Sequence, residues 1–136
     1  MVRLNKSKLK EIELNKLYTQ LDKSLSGLSV DKVDMFLREL LGPEERMMLA
    51  KRIAIIVMLT HGYSFYRIAD TLKVGLATAS RLSKNLETGC YDNLLKLLRK
   101  NKTDYTALLN ILENILSAGG IMPSRGGLDR YRGIPR

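Results

Sequence analysis

The stretch from Gly42 to Gly62 constrains this chain more than any other. Pro43 suits the first position of a helix, and Glu44 and Glu45 meet the positive end of its dipole. Gly62 supplies the stop, so the pattern predicts a helix from 43 to about 61. Inside it, Ile53-Ala54-Ile55-Ile56-Val57-Met58-Leu59 is apolar at seven successive positions. A helix that is apolar all round is buried all round. Seven residues are far fewer than the roughly 20 needed to span a bilayer. Other parts of the chain, or another chain, must therefore wrap this helix.

The material for wrapping it is also helical. The chain of 136 residues has no Trp and two Phe, so Leu, Ile, Met and Ala must fill the core. Those side chains suit helices better than sheets. Leu9, Ile12, Leu14, Leu17, Leu21 and Leu25 predict a helix over 6–25, stopped by Gly27. Ser29 caps a second, with Val33, Phe36, Leu37 and Leu40 as its stripe. Beyond Gly62, Ser64 caps a short helix from Phe65 to about Lys73. Val74-Gly75 then leads into another from Leu76 to about Thr88, which Gly89 ends. Residues 91–100 carry Leu94, Leu95, Leu97 and Leu98. Thr103 is the expected cap of a last helix through about Ala118. The reading is all-α, with about seven helices and no strand. It divides the chain into an N-terminal helix (1–28), a central domain (29–102), a C-terminal helix (103–118) and a flexible basic tail (119–136) rich in Gly, Pro and Arg.

Charge narrows the function. Lys and Arg number 23 against 14 Asp and Glu, a formal net charge of +9. Residues 1–63 hold 11 basic and 8 acidic side chains, and residues 64–136 hold 12 and 6. Such a balance favours a polyanionic partner, nucleic acid first. Cys90 and His61 are the only residues of their kinds. They exclude an intrachain disulfide and a Cys/His zinc site within one chain. At 29 positions apart they are also a poor nucleophile–base pair. No paired carboxylates or phosphate loop stand out, so no enzyme activity and no cofactor are expected. The start of the chain lacks an apolar signal-peptide core. A cytoplasmic protein that is not membrane-bound is expected.

Residues 64–88 carry the functional signal, a helix-turn-helix pattern. Two helices that cross closely need a small residue in the first, and Ala69 supplies it between Ile68 and Leu72. The turn needs an apolar residue pointing back to the core, Val74, and a permissive one, Gly75. Ala79, Leu82 and Leu86 recur at helical spacing and face inward. Leu76, Ala77, Ser80, Arg81 and Lys84 are left for the outer face. Small side chains let such a helix enter the major groove. Ser80 suits either kind of base edge, and Leu76 or Ala77 a thymine methyl. Arg81 and Lys84 suit phosphate, and Arg81 also guanine. Lys73 occupies a turn position often held by glycine.

The segment 37–100 resembles the tryptophan-repressor family, in particular its YerC/YecD-type branch. Leu40-Leu41-Gly42-Pro43-Glu44-Glu45-Arg46 and Lys51-Arg52-Ile53 are similar to the family's central helix. Gly62-Tyr63-Ser64, Ile68-Ala69 and Leu76-Ala77-Thr78-Ala79-Ser80-Arg81 are similar to its reading head. Leu86-Glu87-Thr88-Gly89-Cys90-Tyr91 looks like the branch's end of the recognition helix. The resemblance implies an intertwined all-helical homodimer that binds double-stranded DNA as a repressor. It implies contacts from Leu76, Ala77 and Ser80, with Tyr66 where the family has a basic residue. Arg67 and Lys73 complete the expected DNA-facing set. An effector pocket of Arg52, Thr78, Arg81 and Asn85 is also implied. Tryptophan itself is not expected there, because Leu82 and Asn85 stand where the family has a glycine and a serine. A helical adaptor and a replication- or transposition-type helix-turn-helix module are the alternatives.

Overall fold

The computed structural model describes residues 9–118. The described residues form seven helices and no strand, so the all-α expectation holds. They are α1 (Glu11–Leu25), α2 (Val30–Leu40), α3 (Pro43–Thr60), α4 (Phe65–Leu72), α5 (Leu76–Glu87), α6 (Asp92–Lys100) and α7 (Lys102–Ala118). The expected tail and the first residues of the expected N-terminal helix lie outside the described residues. The chain divides into two units after Leu49.

In the first unit the helix boundaries follow local chemistry. The Ser29 hydroxyl accepts a hydrogen bond from the Lys32 N–H at 3.4 Å, satisfying an N–H that α2 cannot. Glu45 reaches back to the Gly42 N–H at 2.8 Å and closes the start of α3 in the same way. Asp34 pairs with Arg38 one turn along α2 and with Arg46 on α3. Neither α1 nor α2 has a buried residue. Ile12, Leu17, Tyr18, Leu21, Val30 and Met35 are exposed instead, although α1 and α2 both carry apolar stripes.

The second unit holds the core. Ala54 through Leu59 are buried at every position, whereas Ile53, the first residue of the apolar run, is 37% exposed. Their partners come from three other helices. Ile68 and Leu72 of α4, Leu82 of α5, and Leu112 and Leu116 of α7 join the same buried cluster as Ile55, Val57, Met58 and Leu59. Phe65, Val74, Leu86, Tyr91, Leu98, Tyr105, Leu108 and Leu109 pack at its edge. Tyr63 is fully buried in it. His61, also buried, shares a hydrogen bond of 3.2 Å between Nε2 and the Tyr105 hydroxyl, which joins the end of α3 to α7.

The turns that set off α4 and α5 are glycine stops. Gly62 and Gly89 have φ of 89° and 84°, left-handed values that cost other residues energy. The start of α7 corrects one expectation. Asn101, not Thr103, is its cap: the Asn101 side-chain oxygen accepts from the Asp104 N–H at 3.0 Å. Helix α7 begins at Lys102, so Thr103 already lies inside it, beyond the position where a side chain can cap.

Candidate nucleic-acid interface

Helices α4 and α5 form the reading head. Ser64 starts α4 by accepting from the Arg67 N–H at 3.2 Å. Only eight residues follow before the chain turns at Lys73. Ala69 is buried where α4 meets α5, as close crossing requires. Lys73 is the sole described residue other than glycine with positive φ, at 58°. Its left-handed backbone lets the Val74 N–H reach back to the Ala69 carbonyl at 3.1 Å, closing the end of α4. Lys51 of α3 donates to the Lys73 carbonyl at 3.3 Å and braces the turn. Gly75, expected to take the unusual dihedrals, has φ of −69°. The strained position therefore falls two residues earlier than the glycine suggests.

Beyond the turn, Ala79, Leu82 and Ser83 of α5 are buried, and Leu86 packs at the core's edge. Leu76, Ala77, Arg81 and Lys84 are exposed, and Ser80 and Thr78 are half-buried. Tyr66 is 64% exposed on α4. Its ring stacks on Phe65 at 4.5 Å between centroids. Tyr66, Ala69, Asp70, Lys73, Val74 and Leu76 together line an open cleft of about 450 Å³ between the two helices. Arg67 lies apart from this surface. It is half-buried, its guanidinium 5.6 Å from the centre of the buried Tyr63 ring, a cation–π distance.

Two residues of the site escaped sequence reasoning. Asp70 puts a negative charge beside Lys73 in the cleft. Its spacing from Tyr66 and Lys73, four and three residues, places it on their face of the chain. Lys51 lies 22 residues from the turn it braces, and local spacing holds no signal for it.

The implied effector residues are distributed differently. Thr78, Arg81 and Asn85 recur along α5, and Arg52 is exposed on α3. The Asn85 amide nitrogen donates to the Tyr91 hydroxyl at 3.2 Å. Leu82, 3% exposed, fills space inside the core. Cys90 is exposed beside the Thr88 hydroxyl, 3.3 Å away. No group of His, Cys, Asp and Glu among the described residues is arranged to hold a metal ion. No helix among them is long and apolar enough to cross a membrane.

The family model for the Trp repressor protein matches residues 14–102. The chain belongs to this family. The family suggests a helix-turn-helix DNA-binding regulator. The match stops where α7 begins, so α7 lies beyond what the family model describes. No curated protein and no solved structure matches the chain.

The left-handed turn yields a stability test. A side chain in that conformation costs roughly 1–2 kcal/mol, whereas Gly adopts it freely and loses about 0.5–1 kcal/mol through unfolded-state entropy. Lys73→Gly should therefore stabilise the protein by about 0.5–1 kcal/mol, and Lys73→Val should destabilise it. Urea unfolding at one fixed protein concentration checks this. A loss of stability in the glycine variant would refute the assigned turn geometry.

Proposed function

We propose that the protein is a sequence-specific transcriptional repressor that reads the major groove with α5 and acts as a homodimer. The observation that carries this is the division of α5 into a buried face, Ala79 and Leu82, and an outer face of small and basic side chains. Leu76, Ala77 and Ser80 are the proposed base-reading residues. Tyr66, Lys73, Arg81 and Lys84 flank them and hold phosphates or neighbouring base edges. Arg67, held over Tyr63, supports the head from within and reaches phosphate only at its margin. The segment Leu86–Tyr91 favours the YerC/YecD-type branch of the family. The cytoplasm, where bacterial DNA lies, is the proposed site of action.

Selection of bound sequences from a random duplex pool tests the reading. Enrichment of one palindrome is the expected result. Ala77→Glu should abolish specific selection and Ser80→Ala should change the preferred site, because both positions face base edges. Lys84→Ala should weaken binding to all sequences alike, since phosphate contacts carry no base information. Unchanged preference in both of the first two variants would mean that another face of α5 meets the DNA. No enrichment and no binding at low salt would favour a protein-binding adaptor.

The dimer rests on the first unit. Helices α1 and α2 expose apolar stripes, with Ile12 at 70% and Val30 at 85% exposure. Exposed apolar area on this scale marks an interaction surface. In this family a second copy of the chain is the natural cover. Two heads in one dimer would meet successive major grooves about 34–36 Å apart. The melting temperature should then rise with protein concentration, because dissociation accompanies unfolding. A concentration-independent melt together with a monomer mass in solution would count against the dimer.

We also propose that tryptophan is not the effector. Leu82 occupies the volume that an indole would need over a glycine, and Asn85 is engaged by Tyr91. Forcing a ligand against a packed leucine costs roughly 1–3 kcal/mol, enough to remove a weak site. Arg52 and Arg81 remain as candidate anchors for a different anion. Titration calorimetry with L-tryptophan should give no heat of binding. Micromolar affinity that tightens DNA binding would overturn this.

A further inference from the structure

The densest run of positive charge among the described residues lies outside the reading head. Residues 64–88 carry four basic and two acidic side chains. Residues 93–103 carry Lys96, Arg99, Lys100 and Lys102 and no acidic side chain. Lys96, Arg99 and Lys100 are three and four residues apart, so they share one face of α6. Lys102 opens α7, one residue past the Asn101 that joins the two helices. All four are exposed, and among the described residues none is paired with a carboxylate. Like charges gathered this closely repel one another, and none of them serves the core.

The corner between α6 and α7 is held against the start of the reading head. The Arg99 guanidinium lies 5.8 Å from the centre of the Tyr105 ring. The Tyr105 hydroxyl in turn lies 3.2 Å from His61 Nε2, just past the end of α3. Three residues further on, Ser64 caps α4. Leu98, Tyr105 and Phe65, the first residue of α4, pack at the edge of one core cluster. Two side-chain contacts, Arg99 to Tyr105 and Tyr105 to His61, thus link the basic corner to the turn that launches α4. In a helix-turn-helix the second helix enters the major groove while the first crosses the sugar-phosphate backbone. A cationic surface beside the first helix therefore faces phosphates rather than base edges. An open groove of about 450 Å³ continues from the corner along α7, lined by Lys102, Thr103, Thr106, Ala107 and Asn110. Its ammonium, hydroxyls and amide are donors of the kinds that fix proteins on phosphate oxygens.

We propose that the α6–α7 corner is a second DNA-binding surface, which grips the duplex backbone where α4 crosses it. Lys96, Arg99, Lys100 and Lys102 neutralise phosphates flanking the groove that α5 reads. The surface adds affinity without base preference, because phosphates carry no sequence. This rests on the duplex-DNA reading of α4 and α5, and it assigns the larger electrostatic share of that binding to a surface outside the helix-turn-helix.

The test uses the full chain and three full-length variants. In the first, the corner is neutralised (K96Q, R99Q, K100Q and K102Q). In the second, its charge is kept with the side chains exchanged (K96R, R99K, K100R and K102R). In the third, the same charge is removed from exposed positions of the first unit (K10Q, K16Q, K23Q and K32Q). Affinity for a random-sequence duplex is measured from 50 to 200 mM salt, with thermal melts run alongside to establish that each variant is folded. The neutralised corner should bind at least about tenfold more weakly at 100 mM salt. Its log–log salt slope should be shallower by about 0.9 per cation lost, or about 3–4 per chain. The charge-keeping variant should retain most of both, since a point charge suffices for phosphate. The third variant should lose less than half as much of either. The sequence selected from a random pool should be the same in all four proteins. An unchanged slope with affinity within twofold in the first variant would overturn the proposal. An equal loss in the third would also overturn it, by showing that net charge and not its place is what matters. A loss confined to single-stranded RNA would do the same. If Lys84→Ala weakened binding and the neutralised corner did not, the reading of α5 would stand and only this inference would fall. If the unaltered chain bound no duplex at 50 mM salt, both would fall.

Discussion

Six successive residues of α3, Ala54 to Leu59, must be kept from water on every side, and the rest of the second unit is arranged to do so. No single neighbouring helix can cover all faces of another. The cover comes from α4, α5 and α7, whose leucines and isoleucines share one cluster with α3. Full burial of one such side chain contributes roughly 1.5–3 kcal/mol. Leu112 and Leu116 together then supply about 3–6 kcal/mol before entropy, against a net stability of about 5–15 kcal/mol for an ordinary domain. On that scale α7 is part of what holds the reading head, even though it lies past the region that the family model covers. The half-buried His61–Tyr105 hydrogen bond adds a directional tie between α7 and the end of α3.

Helices α4 and α5 pack on each other and share one buried cluster with α3 and α7. An isolated helix of eight residues is marginal in water, so α4 is stable only because Ile68, Ala69 and Leu72 are buried. Its two ends are closed by Ser64 and by the Lys73 turn, and α5 begins three residues later without a side-chain cap of its own. Strain at Lys73 is tolerable because three other contacts determine the turn: the Val74 N–H on Ala69, the Lys51 ammonium on Lys73, and the packing of Val74. A glycine there would relax the backbone. It would also remove a cation from the edge of the cleft in which Tyr66 and Leu76 stand. Keeping lysine at a small backbone cost is consistent with a surface selected for charge rather than for stability alone.

Helix boundaries were legible wherever a residue type has one strong local use. Pro43, Ser29, Ser64, Gly62 and Gly89 each mark an end that the fold confirms. They were illegible where two residues compete for one task. Asn101 and Thr103 are both capable caps two positions apart, and apolar periodicity does not separate them at that resolution. The left-handed Lys73 was hidden for the opposite reason: lysine carries no marker for that conformation, while Gly75 beside it does and does not use it. On the site, the three- and four-residue rhythm of α5 correctly put Leu76, Ala77, Arg81 and Lys84 outside. It overstated Ser80, which is half-buried, because the rhythm fixes direction but not how far a neighbouring helix overlaps. Arg67 was misleading as a bare positive charge, since its surroundings depend on a tyrosine that only the fold shows to be buried.

If α4 and α5 meet DNA as proposed, Asp70 bears on how they discriminate. A carboxylate among Tyr66, Lys73 and Leu76 is repelled by phosphate, so a head that docked indiscriminately on the backbone would keep it in an unfavourable field. The repulsion is relieved in a register where Asp70 meets a donor, such as a cytosine amino group in the major groove. Where the neighbouring cations gain affinity on any sequence, an acidic side chain loses it on most and recovers it on few. That is the form in which specificity arises by penalising wrong partners rather than by adding contacts to the right one. A head with a small net charge is in this sense suited to choosing a site.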